Sequence, residues 1–166
     1  MRILALDPST KCTGWCVMED GKIINSGIIK ASSMDVLTRI EKMVDEITKI
    51  YNEYNPEDLI MEDILPEDIK NIKTSKALFY LQAALMLRFH QIQKPIELVT
   101  ASHWRKVCGI GTGRGVLRNE LKLKDIEFVL TKYNITVEDD QADAICIAHC
   151  YFNDIPEEDS NWVVGN

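Results

Sequence analysis

Residues 138–150 read EDDQADAICIAHC, with four acidic side chains inside six positions and then an apolar run. Acidic residues are favourable in a first helical turn because they meet the positive end of the helix dipole. That accounts for Glu138 and Asp139. Asp143 lies a turn further on, embedded in ADAICIA, and positions 140 and 143 share one helix face. The neighbours Ala142, Ala144, Ile145, Ile147 and Ala148 predict a helix lying against a sheet. Two carboxylates at the edge of a core repel each other unless a proton or a cation sits between them. A hard divalent metal is the usual cation for such a place. The plainer alternative is a solvated acidic helix start, and the rest of the chain has to decide.

The 166 residues suit one domain with a sizeable core, and 46% hydrophobic with 27% charged residues is ordinary globular composition. Residues 1–152 are assigned to that domain and 153–166 to an acidic C-terminal tail. No apolar run approaches the roughly 20 residues that span a bilayer, and the N-terminus lacks a signal-peptide pattern, so no membrane partner and a cytoplasmic location are expected. Five cysteines (Cys12, Cys16, Cys108, Cys146, Cys150) make a disulfide framework a poor fit, and reduced thiols fit better. Cys146, His149 and Cys150 could be read as zinc ligands on a helix, but no second pair with zinc spacing accompanies them. Buried cysteines acting as small hydrophobes are the better reading.

The net charge of −7 argues at first against a nucleic-acid partner. Its distribution argues otherwise. Between residues 88 and 124, eight Lys or Arg stand against two acidic residues, Glu97 and Glu120. A basic face on an acidic body is the footprint of a phosphate-backbone partner. The basic residues singled out for DNA contact are Arg105, Lys106, Arg114, Arg118 and Lys122.

Along the chain, MRILALD is an apolar strand ending on Asp7. TGWCVMEDGKIINSG (13–27) reads as two strands joined at the Asp20-Gly21 turn, a strong hairpin signal. Three antiparallel strands therefore begin the fold. A helix started by Ser33 or Asp35 carries apolar positions 36, 40, 43, 47 and 50, an amphipathic stripe. DLIMED (58–63) is apolar on both faces, as expected of a strand covered by helices on each side. TSKALFYLQAALMLRFHQ (74–91) is apolar nearly all round, so this helix is either wholly buried or packs on another chain. IELVT is a further strand, Ser102 is expected to cap a short helix, and GIGTGRG (109–115) leads into a basic helix near 115–133. The order points to an α/β fold with a mixed five-stranded sheet flanked by helices.

Asp7 and Glu62 each end or nearly end an apolar strand, where burial is costly without a counter-charge. With Asp140 and Asp143 they make four carboxylates from three elements at one edge of the sheet. Four acids with no fixed positive partner form a site for two Mg²⁺ ions, which can activate water and stabilise a leaving oxygen in phosphodiester cleavage.

ILALDPSTKCTGWCV (3–17), LIMED (59–63) and DDQADAICIAHC (139–150) resemble the three acidic motifs of the RuvC family of Holliday junction resolvases, which have the ribonuclease H-like fold. The resemblance covers nearly the whole chain in the right order. It implies that Asp7, Glu62, Asp140 and Asp143 are the metal-binding catalytic carboxylates. It further implies a homodimer that acts on four-way DNA junctions and nicks two strands of like polarity with Mg²⁺ or Mn²⁺. Asp63 is set aside, because alternation along a strand points it away from the Glu62 face. SHWRKVCGIGTGRG (102–115) is similar to phage-borne members, which would place the protein in a bacterial host's cytoplasm.

The chain departs from the cellular members of that family in two places. Trp104 and Gly115 stand where those members carry basic residues, with Arg105, Lys106 and Arg114 adjacent. Leu65, in EDILPED, stands where they carry an aromatic that unstacks bases at the crossover. Pro66 and Asp68 make this loop stiffer and more acidic than a DNA-penetrating loop should be. Leu65 is therefore the junction-wedge position, and its change predicts cutting of forks and other branched DNA as well as junctions. Two rival readings remain: a non-catalytic branched-DNA binding protein, and a small actin-like or sugar-kinase-type ATP-binding domain, because LDPSTKCTGW (6–15) resembles the first phosphate loop of those proteins.

Overall fold

The structure is a computed structural model and describes residues 1–65, 72–111, 113 and 115–154. Arg114, Pro66, Asp68 and the tail from residue 155 onward lie outside the described residues. The elements are β1 (Arg2–Asp7), β2 (Cys12–Glu19), β3 (Lys22–Lys30), α1 (Val36–Tyr54), β4 (Asp58–Glu62), α2 (Ile72–His90), β5 (Ile96–Val99), α3 (Ala101–Val107), α4 (Arg118–Tyr133) and α5 (Asp139–Asn153). The five strands form one sheet in the order β3-β2-β1-β4-β5. β1, β2 and β3 pair antiparallel, while β1 with β4 and β4 with β5 pair parallel. This is the mixed sheet expected from the sequence.

Local chemistry explains the boundaries. Asp20 and Gly21 both take positive φ, 47° and 76°, the conformation a tight two-residue hairpin turn demands. Asp35, not Ser33, caps α1: its side chain accepts from the Thr38 amide at 2.7 Å, while Ser33 Oγ accepts from the Asp35 amide. Thr100 caps α3, accepting from the His103 amide at 3.3 Å. Ser102 is therefore not the cap; it sits inside the first turn, its hydroxyl 3.1 Å from that of Thr100. The basic helix begins at Arg118, where Glu120 reaches back to accept from the Leu117 amide at 3.2 Å. α5 runs to Asn153, so the proposed tail boundary at 152 falls within its last turn.

Helices cover both sheet faces, so the strands alternate between two apolar layers. Leu4 and Leu6 of β1 and Leu59 and Met61 of β4 pack with α1 and α2, among Ile40, Met43, Ile47, Leu81, Leu85 and Phe89. Ile3, Ala5 and Ile60 face the other way, into a layer built with Trp104, Val129, Ala144, Ile145 and Ala148. Cys16, Cys108, Cys146 and Cys150 are buried there as free thiols. Helix α2 is not wholly buried. Ala77, Leu81, Leu85 and Phe89 enter the core at four-residue steps, while Phe79, Tyr80, Met86 and Leu87 stay exposed on its other face. No helix among the described residues is long and apolar enough to cross a membrane.

Candidate active site

Strand parity places the first two acids. Asp7 follows Ile3 and Ala5 on one face of β1, and Glu62 follows Ile60 on the same face of β4. The parallel register pairs Leu6 with Met61, so Asp7 and Glu62 end neighbouring strands side by side. Asp63 turns to the opposite layer, where its Oδ1 accepts from Gln82 Nε2 of α2 at 3.0 Å. Glu62 thus stands on the Asp7 face of the sheet and Asp63 on the opposite one.

The other two acids arrive on α5, and a glycine lets them in. Asp7 pairs with Gly14 across the β1–β2 ladder. A Cβ at Gly14 would lie 1.8 Å from the Asp140 carbonyl oxygen, a full overlap. Only glycine allows the start of α5 to rest directly on β2 beside Asp7. Gln141 Nε2 donates to Ser26 Oγ of β3 at 2.9 Å, and Lys30 pairs with Glu138 at 3.3 Å, fixing the same helix end. Asp143 is thereby buried against the sheet, 7% exposed.

Two cations stand close to these acids, which corrects the expectation of a site with no fixed positive partner. Arg105 of α3 forks onto the fully buried Asp125 of α4, its Nη2 donating at 2.9 Å, and that nitrogen lies 3.9 Å from Asp143. The guanidinium also lies over the Trp104 ring at 4.1 Å. Burial alone would lower the affinity of Arg105 for its proton, but Asp125 outweighs it and the group is held charged. Lys122 of α4 contacts Asp139 closely and lies 3.6 Å from Asp140. Trp104, fully buried, donates its indole N–H to Glu62 Oε2 at 2.9 Å.

Each cation makes its shortest contact with an acid outside the four, Arg105 with Asp125 and Lys122 with Asp139, and offsets the cluster only in part. Burial, then Glu62 and Asp140, pushes the Asp7 carboxyl well above the usual carboxylate range. Burial, then Asp7 and Asp125, pushes Asp143 up to about 9. One oxygen of Asp143, Oδ1, is buried with no hydrogen-bond partner. A buried acceptor without a donor, among carboxylates that repel one another, is the donor set of a hard divalent cation. The residues present fit such an ion.

Of the residues named from the sequence, Asp7, Glu62, Asp140 and Asp143 come together. Arg105 and Lys122, named from the sequence for DNA contact, lie beside Asp143 and Asp140. Lys106 and Arg118 are exposed, and Leu65 is partly exposed at the end of the described segment after β4. Sequence reasoning missed the parts played by Gly14, Trp104 and Asp125. A glycine inside an apolar strand signals a close backbone approach. An aspartate on the apolar stripe Leu121–Asp125–Val129 signals a buried partner.

A mixed sheet in this order, with acids gathered at the carboxyl ends of two parallel neighbours, defines the ribonuclease H-like class. Residues 3–151 match the family described as "Crossover junction endodeoxyribonuclease RuvC", and the chain belongs to that family. Its relatives include the crossover junction endodeoxyribonuclease RuvC of Dictyoglomus turgidum, 29% identical over 158 residues, with 91% of this chain and 97% of the relative covered. The Ehrlichia chaffeensis protein of that name is 28% identical over 156 residues, with 91% and 97% covered. Among solved structures, Thermus thermophilus RuvC in complex with Holliday junction substrate superimposes with a TM-score of 0.71 at 13% identity, covering 90% of this chain and 91% of that one. A yeast mitochondrial Holliday junction resolvase superimposes at 0.58 and 20% identity, covering 92% and 78%. Family membership sets aside the kinase-type ATP-binding reading.

Proposed function

We propose that this chain is a structure-selective DNA endonuclease that resolves four-way junctions by paired, symmetric nicks. The observation that carries the reading is the convergence of Asp7, Glu62, Asp140 and Asp143, with Asp143 Oδ1 buried and unpaired. Asp7, Glu62, Asp140 and Asp143 would hold two Mg²⁺ ions, with Mn²⁺ as a substitute. When bound, such ions supply an activated water and stabilise the leaving oxygen of the scissile phosphodiester.

The remaining machinery belongs to the chain itself. Trp104 fixes the Glu62 carboxylate through its indole N–H. Asp125 anchors Arg105 so that the guanidinium stays 3.9 Å from Asp143, where it can meet a phosphate oxygen. Lys122 stands beside Asp140 and restrains the first turn of α5. Lys106 and Arg118, exposed on either side of the glycine-rich loop, contact flanking phosphates, and Arg114 of that loop adds a further contact.

Two nicks on a two-fold symmetric junction require two sites, so the working form is a homodimer. The exposed stripe Phe79, Tyr80, Met86 and Leu87 on α2 is the dimer face. Leu65 offers an apolar contact without a stacking surface, and base–aromatic stacking is worth on the order of 1–3 kcal/mol. Selectivity then rests on backbone geometry that forks partly share, so forks and flaps are cut as well.

The test is a matched panel of labelled four-way junction, fork, flap and linear duplex with and without Mg²⁺. Mg²⁺-dependent cutting of junctions and forks, sparing duplex, is the expected result. Binding of junctions without cleavage in any divalent metal would mean a non-catalytic binder, and strict cleavage of junctions at one short sequence would remove the Leu65 argument.

A further inference from the structure

The zinc-like trio in the sequence comes apart in the fold. Cys146 Sγ faces the Asp125 carbonyl, and His149 Nδ1 lies 2.8 Å from the Tyr133 hydroxyl. Cys150 instead joins a different group where the start of α3 meets the end of α5. His103 Nε2 lies 2.8 Å from Asp154 Oδ2, and one donor atom from each of His103, Cys150 and Asp154 lies within 4.8 Å of the others. Cys150 and Asp154 stand four residues apart on the last turn and cap of α5, so both face the same neighbour.

We propose that His103, Cys150 and Asp154 form a second metal site, for a zinc-class ion, that ties α3 to α5. The donor set is the reason for the class. An imidazole, a thiolate and one carboxylate suit zinc or cobalt, whereas Mg²⁺ takes oxygen. Three protein donors leave a fourth tetrahedral position for water. Bond lengths of about 2.0–2.3 Å place tetrahedral donors roughly 3.3–3.8 Å apart, so the 4.8 Å spread closes by small rotamer shifts. The His103–Asp154 hydrogen bond holds two donors in place and gives way to the ion. Binding takes neutral imidazole and thiolate, and the Cys150 proton leaves to solvent.

The surroundings favour a cation. Burial, then Asp58 and Asp154, raises the Glu97 carboxyl beside the group. Burial, then Asp154, pushes the Cys150 thiol up to about 12, so without metal it stays protonated. The site is separate from the nuclease carboxylates: Cys150 is seven residues beyond Asp143, about 10 Å along the helix. It still bears on them. His103 immediately precedes Trp104 and Arg105, and α5 carries Asp140 and Asp143 at its other end. An ion here would set the register of the two elements that build the active site. The alternative is a hydrogen bond between His103 and Asp154 that only closes the end of α5, with Cys150 inert.

The test is titration of metal-free protein with Co²⁺ under excess Mg²⁺, read by the near-ultraviolet thiolate-to-cobalt band and the visible tetrahedral bands. Saturation at one equivalent per chain is expected, with full bleaching by Zn²⁺. The bands should vanish in Cys150→Ser and His103→Ala and persist in Asp143→Asn, with circular dichroism confirming that each variant is folded. Absence of a thiolate band in the folded wild type, or its survival in Cys150→Ser, overturns the proposal. Neither result touches the nuclease reading, because carboxylate sites give no thiolate band.

Discussion

At the scale of single residues, the acids of this protein divide into those that hold the fold and those that burden it. Asp125 is fully buried and paired with Arg105. Removing one partner of a buried ion pair leaves the other uncompensated, at about 3–5 kcal/mol. Asp125→Asn should therefore lower stability by that order in denaturant unfolding. Asp143→Asn should do the reverse in metal-free protein. The Asp143 carboxyl titrates near 9 in the fold, raised first by burial, against 3.8 unstrained. Between those values the folded state holds a proton that the unfolded chain has released, so metal-free stability falls as pH rises through that window. Asparagine removes the dependence: melting in chelator at pH 5 and pH 8 should show a smaller drop for the variant, and an equal drop would mean that Asp143 is not strained. Gly14→Ala should displace α5, because its Cβ would occupy the place of the Asp140 carbonyl. Loss of nearly all cleavage with junction binding retained is the expected outcome. The placement of Asp7, Glu62 and Asp143 was legible in the sequence because each ends or interrupts an apolar pattern, and that of Asp140 because it shares a helix face with Asp143. Trp104 was not, because a buried tryptophan in a helix reads as core and its indole hydrogen bond leaves no trace in periodicity.

At the scale of elements, helix α2 carries two faces that mutation can separate. Leu85 is fully buried and Leu87 is 60% exposed. Leu85→Ala should cost about 2–5 kcal/mol through transfer and cavity terms. Leu87→Glu should leave the monomer's unfolding nearly unchanged and shift sedimentation from about 38 kDa to the 19.0 kDa of one chain. A wild type that sediments as a monomer at micromolar concentration removes the dimer face. The strands, the hairpin turn and the stripe of α1 could be read in advance because period and turn chemistry are local. The cap of α3 could not, since Thr100 and Ser102 are both good caps and the choice depends on where β5 releases the chain. The dual character of α2 was equally hidden, because an all-round apolar pattern does not say which face the sheet takes.

At the scale of the whole molecule, sheet and helices separate charge by face. Lys106, Arg118 and Lys122 belong to the α3–α4 side, with the carboxylates, whereas Lys42 and Lys49 lie on α1 across the sheet. Phosphate contacts release counterions, so junction affinity should fall steeply with salt, each lost contact flattening the log–log slope by about 0.9. Lys106→Glu and Arg118→Glu should weaken binding and reduce that slope, while Lys49→Glu should change neither; equal effects from all three would place the DNA elsewhere. If one face of the sheet edge performs the chemistry, Glu62 at the end of β4 and Asp63 just beyond it must differ sharply. Glu62 faces Asp7, and Asp63 faces Gln82 on the other side. The measurement is the single-turnover cleavage rate of a labelled four-way junction in Mg²⁺ by Glu62→Gln and Asp63→Asn, at protein concentrations that saturate binding. A loss of several orders of magnitude is expected for Glu62→Gln and near wild-type cleavage for Asp63→Asn. Normal cleavage by Glu62→Gln with a dead Asp63→Asn would contradict this placement of the chemistry.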